Sequence, residues 1–128
     1  MQAQCRWIRS GGALVLALVG VGVGAAGGPK DVAPAAPGFQ EVARPFIQQH
    51  CMECHGPKKA QAGFRIDLLT ADFAAPKMAE HWKEVIDRIN AGEMPPKARP
   101  RPEAKQAAVF VDWVNQQLRA VEQAAKIG

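Results

Sequence analysis

The chain is poor in the residues from which many folds and sites are built. Tyrosine is absent, cysteine and histidine occur three times each, and aromatic residues make up 6% of the 128 positions. Cys5 lies in the N-terminal segment, which leaves Cys51 and Cys54 as the only pair that could form a disulfide further on. A bridge closing so short a loop would stabilise little, so a disulfide scaffold is excluded and the pair needs a chemical explanation. No run of alternating residues is long enough to support a sheet, and no internal repeat is present. Cations exceed anions only slightly, for a formal charge of +4, and they form no stripe or aromatic-flanked cluster. Nucleic acid is therefore excluded as an expected partner. The length suits one domain and not two.

The N-terminal segment has its own character. Residues 1–10 carry Arg6 and Arg9 and no acid, residues 11–23 are apolar, and Gly24-Ala25-Ala26 supplies small residues. This is the order of a secretory signal spanning residues 1–26, with cleavage expected after Ala26 and Ala25 as the close alternative. The apolar run is short and glycine-rich for a membrane span, so a membrane association is expected only if the segment is retained as an anchor. Cys5 precedes the apolar run and does not fit a lipoprotein. Cleavage removes Arg6 and Arg9 and lowers the formal charge from +4 to +2. Residues 27–38, rich in proline and glycine, read as a linker, and residues 39–128 as the folded domain.

Three helical segments are expected in that domain. Phe39, Val42, Phe46, Ile47 and His50 lie on one face of the first, which Pro45 either interrupts or opens as a shorter helix. Trp82, Val85, Ile86 and Ile89 fall at i, i+3, i+4 and i+7 of the second, about Met78 to Ala91, with Glu80 and Glu84 early and Gly92 as its stop. The third is expected from Pro102 to about Lys126, with Ala107, Val111, Val114, Leu118 and Val121 as the buried stripe, widened by Phe110 and Trp113. The domain is thus all-α. About 90 residues without a disulfide give a marginal core, which a large apolar group in the middle would complete.

Cys51-Met52-Glu53-Cys54-His55 is a C-x-x-C-H sequence, the signature of haem c attachment. Two thiols on one turn can add across the two vinyl groups of a porphyrin edge, and the following imidazole can serve as the proximal iron ligand. A thioredoxin-like pair would need a βαβ pattern, and structural zinc would need a fourth ligand that only His50 or His81 could offer. One covalent haem c on Cys51, Cys54 and His55 is the reading that remains. The second nitrogen of His55 should donate to a carbonyl in the loop after Gly56.

The opposite axial position has Met94 as its candidate, in Ala91-Gly92-Glu93-Met94-Pro95-Pro96. Pro95 and Pro96 hold the chain extended and Gly92 lets it turn, so the thioether sits on a stiff loop. His50 and His81 are the alternatives, with His81 expected on a solvent-facing part of the second helix. Arg65 is either a partner of a haem propionate or an ordinary exposed loop arginine. The charges of Lys58-Lys59 and of residues 97–101 read as solvated loop charges that could steer an acidic redox partner. His/Met ligation leaves no open position and implies one-electron transfer and no catalysis. The competing expectation is a labile or open sixth site for small ligands or peroxidase-like chemistry.

Taken together, CMECHGPKKAQAGFRIDLL, HWKEVIDRINAGEMPP and the VDWV of the last helix resemble the planctomycete-type cytochrome c domain. The resemblance runs from about Phe39 to Ala124 and is carried by Cys51, Cys54, His55, Lys59-Ala60, Gly63, Ile66-Asp67, Trp82, Met94-Pro95-Pro96 and Trp113. It implies a class I-like cytochrome c fold of about three main helices around one haem, with Met94 as distal ligand. The N-terminal signal, for its part, implies a periplasmic or otherwise exported site of work, membrane-anchored if the segment is retained. In that family the domain commonly precedes further domains, and a free-standing carrier or a piece of a larger protein would both fit.

Overall fold

A computed structural model describes residues 36–128; the expected signal segment, and the linker up to residue 35, lie outside the described residues. The described chain belongs to one compact unit. It is all-α in class. A wide π-type turn, Phe39–Ala43, leads into α1 (Arg44–His50), and α2 (Met52–His55) follows after a break at Cys51. Two 3-10 turns, Gln61–Gly63 and Ile66–Leu68, then lead to α3 (Pro76–Asn90) and α4 (Ala104–Ile127). Extended pairing among the described residues is confined to a tight reversal, with bridges between His55 and Ala60 and between Gly56 and Lys59.

Pro45 explains the shape of the first element. It stands in the first turn of α1, and the preceding turn widens so that the Arg44 N–H bonds the Phe39 carbonyl. A proline ring clashes with the carbonyl four residues back, and a widened turn relieves that clash. The first helical segment is therefore two elements. α3 begins two residues earlier than the periodicity suggests, because Pro76 opens it.

α4 begins later than expected. Pro102 lies outside it, since Glu103 is extended (ψ 142°) and its carbonyl accepts the first helical bond, from Ala107. The stripe of α4 also shifts towards its aromatics. Phe110, Val111, Trp113 and Val114 are buried, while Ala107, Leu118 and Val121 only flank the core. The aromatics displace the expected stripe because they reach furthest. Phe110 stacks on Phe46 of α1 with ring centroids 4.3 Å apart, and Trp113 meets Trp82 of α3 edge-on at 6.1 Å. These contacts tie the first, third and fourth helices together.

Both buried indoles have polar partners. Trp82 Nε1 donates to the Thr70 carbonyl at 2.9 Å, and Trp113 Nε1 to the Pro37 carbonyl at 2.8 Å. The second bond brings Ala36–Gly38 into the fold, ahead of the expected start at Phe39. Gly38 adopts φ 84°, and a Cβ there would sit 2.8 Å from Trp113 Nε1, so this approach is open only to glycine.

Candidate haem site

The site starts at the end of α1. Cys51 breaks the helix at φ −121°, and the next turn is closed by Cys54 and His55 N–H groups, both donating to the Cys51 carbonyl at 3.2 and 2.9 Å. Both cysteines are free thiols and half-buried. Burial pushes the Cys51 thiol up to about 12.

Directly after His55 the chain must reverse. A Cβ on buried Gly56 would lie 2.5 Å from the Met52 carbonyl oxygen, so the reversal requires a residue with no side chain. Ala62 and Gly63 then take left-handed conformations (φ 54° and 73°) and turn Phe64 back towards the histidine. The Phe64 carbonyl lies 3.3 Å from His55 Nδ1, and the Phe64 ring meets the imidazole edge-on at 5.5 Å. A carbonyl can only accept, so the proton sits on Nδ1 and the Nε2 lone pair is left for a metal.

The donor set fits a covalently held haem. Two free thiols share one helical turn, and an imidazole with its tautomer fixed follows at once. A second sign lies beside them. His50 Nε2 is buried with no hydrogen-bond partner, on a ring packed 4.9 Å from Phe46. A polar atom left in that state marks a neighbourhood shaped for a further group.

Met94 is half-buried, in the loop after α3. That helix ends in a complete Schellman motif. The Gly92 N–H bonds the Ile89 carbonyl and the Glu93 N–H bonds the Arg88 carbonyl, each at 3.0 Å, with Gly92 at φ 69°. The Met94 N–H joins the same Arg88 carbonyl at 3.2 Å, and Arg88 Nη1 donates to Glu93 Oε2 at 2.7 Å. Further along, Arg99 forms an ion pair with Glu53, which stands between the two cysteines. The methionine loop and the attachment turn are therefore in contact.

The other candidates lie elsewhere. Arg65 donates from Nε and Nη2 to the two carboxylate oxygens of Asp67 at 2.6 and 2.5 Å, and this pairing holds the Asp67 carboxyl below its ordinary range. A haem carboxylate would have to share or displace that partner. His81 is exposed on α3, its ring 6.2 Å from that of Phe64. Sequence reasoning missed the roles of Arg99 and Arg101. Both read as solvated loop charges, yet one pairs with Glu53 and the other donates to the Gly92 carbonyl at 2.7 Å. Spacing carries no signal for either contact.

No curated protein and no solved structure matches the chain. Among the described residues no helix is long and apolar enough to cross a membrane. Residues 51–98 match the family described as Planctomycete cytochrome C, a match that opens on Cys51 and passes through Met94, and a cytochrome c family implies covalent haem c. Over those residues the chain is similar to a planctomycete-type cytochrome c domain.

Proposed function

We propose that this chain is an exported one-electron carrier with a single haem c, held by His55 and Met94 at its two axial positions. The observation that carries the reading is the bond from His55 Nδ1 to the Phe64 carbonyl, on the same turn as two free thiols. When bound, the haem would supply one-electron exchange between ferric and ferrous states. Cys51 and Cys54 would hold it by thioether links, and His55 would present Nε2 in an orientation set by Phe64. Met94 would close the second axial side, and its thioether would favour the ferrous state. With His55 and Met94 both holding the group, small molecules would be kept from the iron. Exposed Lys58, Lys59 and Lys97 would steer an acidic redox partner.

The test is an absorption spectrum of protein matured by a cytochrome c assembly system, together with its intact mass. We expect a pyridine haemochrome for one haem, a low-spin reduced spectrum, and a long-wavelength methionine–iron charge-transfer band in the oxidised form. The mass reports cleavage after Ala26 or Ala25, or retention of the segment. Rapid carbon monoxide binding to the reduced wild type, without the band, would replace this reading with a site open for small ligands.

A further inference from the structure

We infer that Arg101 is a positioning residue for Met94, an assignment that rests on Met94 as the second axial ligand. The amino side of Met94 is fastened to α3 by the Schellman bonds and by its own N–H on the Arg88 carbonyl. Its carboxyl side has no such anchor of its own. Pro95 and Pro96 stiffen the chain but offer no donors; the turn beyond them is closed by the Arg99 N–H on the Pro96 carbonyl at 2.9 Å and is tied outward by the exposed Arg99–Glu53 ion pair, with no bond back to α3.

Arg101 supplies the missing anchor. Its Nη2 reaches back nine residues to the Gly92 carbonyl at 2.7 Å, joining the two ends of the loop. The positive φ of Gly92 ends the helix there, and its carbonyl falls to a side chain. Residues 92–101 become a closed ring with Met94 on it. Opening that ring leaves the segment after Pro96 tied only by the exposed Arg99–Glu53 pair, and the methionine is then held firmly from one side.

A basic side chain near a helix C-terminus can also act as a cap and nothing more. The two roles separate experimentally. A cap alters helix stability, whereas a positioning residue alters how often the thioether leaves the iron. Imidazole binding to the ferric holoprotein and carbon monoxide binding to the ferrous holoprotein both wait on that departure.

In Arg101→Ala we expect both rates to rise about three- to tenfold, the effect of losing one hydrogen bond of ordinary strength, and the charge-transfer band to weaken. Arg101→Lys keeps a charged donor and should recover most of the difference, and it serves as the informative variant if the alanine form fails to mature. Lys105→Ala, which removes an exposed cation four residues further on, should leave rates and band unchanged. Wild-type rates and an intact band in Arg101→Ala, whatever its Tm, would reduce the arginine to a cap and overturn the proposal. A wild type that lacks the band overturns the Met94 reading itself, and the positioning role falls with it, before any variant is made.

Discussion

The two sides of the haem site are built in opposite ways. The His55 side is local and made of backbone: one turn of helix, a reversal at Gly56 with no room for a methyl group, two left-handed residues and a carbonyl facing the imidazole. The Met94 side is assembled from a helix end, two prolines and exposed arginines that reach Gly92 and Glu53. The first kind of construction is stiff and insensitive to solvent, since it has few rotatable parts. The second is adjustable, because surface ion pairs and single side-chain bonds are individually weak and screened by salt. On the proposed ligation, a fixed ligand at His55 and a tunable one at Met94 would follow from that contrast.

The largest expected break in the contrast is on the rigid side. Gly56→Ala forces a methyl group into the Met52 carbonyl, and we expect a loss of about 2–3 kcal/mol of stability together with most covalent haem, measured as pyridine haemochrome yield per protein. Met94→Ala should behave differently. Haem attachment should persist at near wild-type yield, while the charge-transfer band disappears and carbon monoxide binds rapidly. Retention of the band would refute the ligand assignment. Gly63→Ala comes next. Its Cβ would meet nothing within 4 Å, so the cost is the left-handed backbone alone, about 1 kcal/mol by denaturant titration. The smallest effect belongs to Glu53→Gln. It removes an exposed ion pair and should loosen Met94 slightly at low salt, with the difference from wild type in carbon monoxide rate vanishing as salt is added.

Much of the rigid side was legible in the residues, and little of the adjustable side. Cys51, Cys54 and His55 announce their chemistry by spacing, because the cofactor dictates it. The faces of α3 were readable for a similar reason: Trp82 and Ile86 are buried where a 3.6-residue period puts them. Where elements begin was harder. Pro102 looks like a first helical residue, but nothing local reveals that Glu103 will stay extended. Pro45 allowed two outcomes, and the widened turn before it satisfies both the helix and the ring. Long-range side-chain contacts left no trace at all. Trp113 reaches Pro37 across 76 residues, and Arg101 finds one carbonyl among many. Such pairings are properties of the packed chain, not of any window of sequence.

α3 meets both sides of the site. Midway along it Trp82 is bonded to the Thr70 carbonyl, and His81 lies against Phe64, whose carbonyl faces His55. At its end the helix hands the chain to Met94 through one shared carbonyl. The helix is therefore a caliper, with one jaw referenced to the histidine and the other carrying the sulfur. Each residue of α-helix adds 1.5 Å of length and 100° of rotation, so the gap between the jaws is graduated in whole residues. A single residue inserted or deleted between Trp82 and Arg88 would, on the proposed ligation, put the Met94 sulfur out of register with His55.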